Sequence, residues 1–224
     1  MSVSLGSPTL ILVPTEVELT RLADLGGFAP GTGLVHLSGF GPVAAAARAA
    51  QLLAELRPRR VLLVGIAGAY DVEATPIGSA LEFDEVALHG VGAGEGERFQ
   101  GPPALGFPQW PGSPGTTTHP VTDSLPLFAT KARANGTLLT TCAASSTAEE
   151  AERRRALFPA ASAEDMEGFA VALACALAGV PLRIVRGVSN AVGDRDPANW
   201  RIPAALAAAL ELAKEALEPT SDWG

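Results

Sequence analysis

Short, nearly all-apolar runs recur along this chain, and each is followed by a stretch of helix-forming composition. This alternation constrains the fold more than any other feature, because strands separated by helices return in parallel and need cover on both faces. Thr9 to Val13 (TLILV) and Val61 to Val64 (VLLV) read as buried strands, and Leu34 to Ser38, Ala80 to Leu88, Thr137 to Thr141 and Pro181 to Val188 read as further strands. Thr15 suits a helix cap, with Glu18 three residues on at capping-box spacing. Pro42 suits the first position of a second helix, and the Ala-rich segment to about Leu56 suits its body. More helices are expected near Ser124 to Ala134, at Thr147 to Leu157, from the Glu164–Glu167 run to Ala178, and from Trp200 to Leu217. The expectation is an α/β fold with a central mixed, mostly parallel sheet flanked by helices. The 224 residues show no repeat and no dividing linker, so one domain over 1–224 is expected. Gly90 to Pro120 breaks the pattern: rich in Gly and Pro, it reads as a long loop carrying Phe99, Phe107 and Trp110.

Composition narrows the partners. With 47% hydrophobic residues the chain has enough apolar surface for a substantial core. A formal net charge of −8 argues against nucleic acid and anionic membranes, which need clustered Lys and Arg. Cys142 and Cys175 lie in Thr-rich or apolar contexts and read as buried free thiols. No Cys/His spacing suits a metal, and no cofactor is expected. The N-terminus has no basic region before an apolar run, and no apolar stretch approaches the length of a membrane span, so a cytoplasmic protein is expected.

In open α/β sheets ligands gather at the carboxyl ends of strands. Glu18, Gly39–Gly41, Gly65–Gly68 and Ser189-Asn190 follow four of the expected strands, and Met166-Glu167 sits at another strand–helix junction. Singly, each has a structural explanation: a first-turn Glu meets the helix dipole, and an Asn after a strand makes a turn. Gly39-Phe40-Gly41-Pro42-Val43-Ala44 matches a dinucleotide-binding pattern, but that pattern needs an acidic residue at the end of the next strand, where Val64-Gly65-Ile66 stands.

Taken in order, PTEVEL, SGFGPVAAAA, VGIAGAY, AEDMEGFAVA and VRGVSNAVGDRD resemble the purine nucleoside phosphorylase/nucleosidase superfamily, and most of all its methylthioadenosine/S-adenosylhomocysteine nucleosidase branch. Within that branch, SN followed by VGDRDPANW is similar to the futalosine hydrolases of an alternative menaquinone pathway. The resemblance implies the nucleosidase/phosphorylase fold, a small-molecule purine nucleoside as partner, and a homo-oligomer, commonly a dimer. It implies that Glu18 activates water, with Glu16 as the competing register. Met166 would pack on the sugar face and Glu167 would accept hydrogen bonds from its hydroxyls. The turn at Gly65–Gly68 would bring backbone at Ala67 and Gly68 close to the nucleoside. Where adenine-specific relatives have Ser-Asp, this chain has Ser189-Asn190.

Those residue types suit the chemistry. An oxocarbenium-like transition state needs a base for water on one face and help for the leaving group on the other. Asn190 cannot act as an acid but donates to N7 or O6 of hypoxanthine, so hypoxanthine release from futalosine is the expected reaction. Arg195 is placed to bind the benzoate of such a substrate, or else to pair with Asp194 or Asp196. Trp200 reads equally as core or as aromatic wall. The competing readings are a phosphorylase, disfavoured because Ile66 stands where phosphate would want a hydroxyl, a methylthioadenosine-type nucleosidase, and a non-catalytic nucleoside-binding protein.

Overall fold

The computed structural model describes residues 8–112, 119–129, 135–218 and 223. In chain order the elements are β1 (Thr9–Val13), α1 (Glu16–Asp24), β2 (Leu34–Leu37), α2 (Pro42–Leu56), β3 (Arg60–Ala69), β4 (Ala80–Glu82), β5 (Glu85–His89), α3 (Pro102–Leu105), β6 (Ser124–Pro126), β7 (Thr137–Thr141), α4 (Ala148–Leu157), β8 (Ala161–Asp165), α5 (Gly168–Ala178), β9 (Leu182–Ala191) and α6 (Ile202–Leu217). One sheet runs β2-β1-β3-β8-β7-β5-β6, with β9 on the other edge of β3 and β4 beyond β9. Five pairings are parallel and three, β3–β8, β4–β9 and β5–β6, are antiparallel.

β1 shows why both faces are covered. Leu10 and Leu12 join one apolar cluster, with residues of α2 and α5, while Ile11 and Val13 join the other, with Leu22 of α1 and the inner face of α6. A strand apolar at every position cannot leave either face in water.

Four expectations need correction. Gly65–Gly68 is not a turn: it lies inside β3, paired to β9 along its length and to β8 at Gly68 and Ala69, so ladder hydrogen bonds on both edges override the glycines' turn preference. Ala80 to Leu88 is two strands, because the chain leaves β9 at Phe83-Asp84 to pair with β7. The helix near Ser124 to Ala134 starts instead as β6, antiparallel to β5, and residues 130–134 lie outside the described ones. Cys142 is exposed, while Cys175 is buried as expected. The Gly90–Pro120 segment is partly tied down by backbone bridges Ala93–Gln100 and Trp110–Val121; residues 113–118 lie outside the described ones.

The topology also makes the site. β1 runs up one edge of β3, and β8 runs antiparallel down the same edge from Ala69. The carboxyl ends of both strands therefore meet near the middle of β3, at Gly65 and Ile66.

Candidate active site

Glu18 arrives from β1. Its helix begins with the expected capping box: Glu18 N–H donates to Thr15 Oγ1 at 3.3 Å, and Thr15 N–H donates to Glu18 Oε2 at 3.1 Å. The Thr15 hydroxyl adds a 2.6 Å bond to Oε2, and Ile66 N–H donates to Oε1 at 3.0 Å. The carboxylate is 5% exposed and fixed at both oxygens. Glu16, the competing register, is exposed.

Glu167 arrives from β8, at the N-cap of α5. Gly41 N–H donates to its Oε1 at 3.0 Å, and the positive φ of 79° that turns this N–H inward requires glycine. The fully buried Arg186 of β9 donates to Glu167 Oε2 at 3.3 Å, and through Nε and Nη2 to Asp165 Oδ2 at 3.1 and 2.5 Å. Asp165 is held by the Thr140 hydroxyl and Gly168 N–H at 2.6 and 2.8 Å. Burial pushes the Glu167 carboxyl up to about 7; Asp165 and Glu18 add to the rise, while Arg186 and the Gly41 amide oppose it. Burial works against the charge on Arg186, but Asp165, Glu167 and Glu18 outweigh it and raise its pKa.

One guanidinium nitrogen, Arg186 Nη1, is buried and has no hydrogen-bond partner among the described residues. It faces the space above Gly65, its register partner across β3 and β9. A Cβ on Gly65 would overlap Arg186 Nη1 and stand 2.7 Å from Glu18 Oε1. The glycine thus lets two groups close over the strand, the Glu18 carboxylate as acceptor and the unpaired Arg186 Nη1 as cationic donor. Sequence reasoning missed Arg186, although an arginine inside the apolar strand LRIVRGV has to find buried carboxylates.

All eight expected site residues, Glu18, Ala67, Gly68, Met166, Glu167, Ser189, Asn190 and Arg195, line one cavity of about 250 Å³. Asn190 is buried within it. Its Oδ1 lies 2.7 Å from the Ser189 hydroxyl, and its Nδ2 donates to Ala191 O at 2.7 Å and, weakly, to Asp194 O at 3.4 Å. Arg195 forms no ion pair with Asp194 or Asp196; among the described residues its guanidinium lies over the Trp200 ring, 4.8 Å from the centroid. The Asp194 and Asp196 carboxylates instead accept from Asp196 N–H, Asn199 Nδ2 and Ala198 N–H. Trp200 is wall rather than core, its indole N–H bonded to Asp194 O at 3.2 Å. Among the described residues, no group of three or more His, Cys, Asp or Glu is arranged to hold a metal ion.

The sequence model of the phosphorylase superfamily matches residues 31–219. The chain is 37% identical to a futalosine hydrolase of Streptomyces coelicolor, over 95% of this chain and 97% of that protein. Among solved structures it is similar to a 5'-methylthioadenosine/S-adenosylhomocysteine nucleosidase of Colwellia psychrerythraea in complex with adenine, with TM-score 0.73, 20% identity, and coverage of 98% of this chain and 99% of that one. It is also similar to a futalosine hydrolase of Helicobacter pylori, with TM-score 0.72, 17% identity, and coverage of 96% and 98%. At these identities the structural likenesses speak to the fold.

Proposed function

The chain belongs to the phosphorylase superfamily and within it to the futalosine hydrolases, and from that premise we propose that it cleaves the N-glycosidic bond of futalosine with water, releasing hypoxanthine in menaquinone biosynthesis. The observation that carries the mechanism is the pair that meets over Gly65, the acceptor Glu18 Oε1 and the unpaired donor Arg186 Nη1. A water there donates one proton to Glu18 and accepts from Arg186, which aims a lone pair at the anomeric carbon. Glu18 takes the proton as the carbon–oxygen bond forms and the carbon–nitrogen bond breaks. Its Oε2 stays with Thr15, so the base is already oriented before substrate binds.

Glu167 accepts from the sugar hydroxyls, and Met166 packs on the sugar face. Asn190 exchanges its long contact with Asp194 for a donor bond to N7 or O6 of the leaving base, and hypoxanthine carries the developing charge on O6. Arg195, stiffened by its stack on Trp200, binds the benzoate. A phosphate nucleophile in place of water would lie against the Glu18 carboxylate, which disfavours phosphorolysis.

Val17 and Phe40 line the cavity yet are 64% and 66% exposed, and Val43, in the first turn of α2, is 83% exposed. An apolar rim of this kind favours a homodimer in which a second copy closes the mouth. Two free cysteines, one of them exposed, suit a reducing cytoplasm. The test is to offer pure protein futalosine, its 6-amino counterpart and methylthioadenosine, and to follow base release. The expected order places futalosine first; preferred release of adenine from either amino compound overturns the substrate assignment.

A further inference from the structure

We propose that Thr140 is a positioning residue for the cleavage: its hydroxyl fixes Asp165, and Asp165 fixes Arg186 with Nη1 turned toward Gly65. The inference rests on the nucleosidase reading above and names what holds its cationic donor in place. Arg186 belongs to β9, but Asp165 belongs to β8, on the opposite edge of β3. The guanidinium therefore crosses β3, and it does so over Gly65, where a Cβ would overlap Nη1. A guanidinium has five N–H donors in one rigid plane. Asp165 Oδ2 takes two of them, from Nε at 3.1 Å and Nη2 at 2.5 Å, and Glu167 Oε2 takes the second Nη2 hydrogen at 3.3 Å. The donors left over sit on Nη1, which is buried and has no partner among the described residues. Because the plane is rigid, the position of Asp165 sets the direction of Nη1.

Asp165 is itself held at both oxygens. Gly168 N–H donates to Oδ2 at 2.8 Å, and the Thr140 hydroxyl donates to Oδ1 at 2.6 Å. Thr140 stands directly opposite Asp165 in the parallel pair of β7 and β8. Its hydroxyl has one direction open to it. Phe169 N–H lies 2.8 Å from Thr140 Oγ1 and can only donate, so the oxygen accepts there and its single proton goes to Asp165. Gly168 and Phe169 open α5, so Asp165 and Thr140 satisfy two of the N–H groups that a helix start leaves unpaired. Glu167, the N-cap residue, makes no capping bond, which leaves its carboxylate for Gly41 and Arg186. The fit is tight: a Cβ on Gly168 would stand 2.8 Å from Leu138 Cδ2, 2.9 Å from Asp165 Oδ2 and 3.2 Å from Thr140 Oγ1. Thr140 is fully buried and is not among the residues that line the cavity, so it acts on substrate only through its neighbours. Without the hydroxyl, Asp165 Oδ1 loses its partner in a buried place. The carboxylate turns to recover a donor, and the guanidinium turns with it.

The experiment compares Thr140→Val, which replaces the hydroxyl by a methyl at nearly constant shape, with Thr140→Ser, which keeps the hydroxyl. Rates are read with futalosine, or with whichever purine nucleoside the unmodified protein cleaves, and hypoxanthine serves as product inhibitor. In Thr140→Val kcat is expected to fall at least about tenfold, since a shift of about 1 Å in a positioned group costs on the order of 10²-fold. KM and the inhibition constant are expected to stay near the parent values, because the interaction lost is made in the transition state. Thr140→Ser is expected to turn over close to the parent rate. If Thr140→Val does not fold, Thr140→Ala takes its place in the comparison. Parent-like kcat in the variant without the hydroxyl overturns the proposal. So does an equal loss in Thr140→Ser, which assigns the effect to packing of the methyl group, and so does a raised KM with kcat unchanged, which assigns it to substrate binding. If the unmodified protein cleaves no purine nucleoside, the nucleosidase reading itself falls; if it does and the variants fail as described, only the role of Thr140 falls.

Discussion

At the scale of single residues, substitutions at a few buried groups separate chemistry from folding. Glu18→Gln is expected to lower turnover by roughly 10²-fold or more. Glutamine also serves in a capping box, so the thermal midpoint stays nearly unchanged; retained turnover contradicts the assignment of Glu18 as base, and Glu16→Gln at its exposed site is the mild control. Gly65→Ala tests the close approach of Glu18 and Arg186 over β3. The added methyl overlaps Arg186 Nη1 and crowds Glu18 Oε1, so activity is expected to fall at least as far as in Glu18→Gln, with a lower melting temperature; near-normal rates show that no water stands there. Glu167, held up to about 7 mainly by burial, gives a pH signature. The ionised carboxylate accepts sugar hydroxyls more strongly than the neutral acid, so kcat/KM is expected to rise as pH climbs through about 7. Stability has the opposite sign. The folded state binds this proton more tightly than the unfolded chain, whose carboxyl titrates near 4.5, so this group's contribution falls as pH rises from about 4.5 to about 7 and is constant above. In Glu167→Gln both pH effects are expected to disappear.

At the scale of elements, the strand–helix junctions were legible where one local signal set them. Thr15 and Glu18 form the capping box that their spacing announces, and Pro42 opens α2 as expected. The spans that failed are those in which tertiary pairing overrules local preference. Gly65–Gly68 reads as a turn by composition, yet β8 and β9 hold it extended. The site divides the same way. Glu18 and Glu167 follow strands and declare themselves by position. Arg186 lies inside a strand, and its meaning depends on Gly65 across the sheet, which no local spacing encodes. Thr15→Ala measures how far element and site are one structure. Loss of the cap is expected to cost about 0.5–2 kcal/mol, a few degrees in Tm for a chain of this size. Loss of the 2.6 Å bond to Glu18 is expected to reduce kcat beyond what that stability loss explains. A lower Tm with full kcat contradicts the positioning role.

At the scale of the whole molecule, the sheet brings a carboxylate from each of two opposed strands to the centre of a third, and burial makes that centre reactive. The exposed apolar residues Val17, Phe40 and Val43 set a prediction: the protein is expected to sediment as a dimer, and Val43→Glu to yield monomers with weaker substrate binding. A monomeric parent protein contradicts it. The claim that joins all three scales is that water, activated over Gly65, attacks the sugar. The most direct measurement is futalosine cleavage by desalted, chelator-treated protein in ¹⁸O-labelled water, with and without phosphate, read by mass spectrometry of the sugar product. Hypoxanthine release is expected at the same rate in both conditions, with one ¹⁸O at the anomeric position. A strict requirement for phosphate, with an unlabelled sugar 1-phosphate as product, would contradict it.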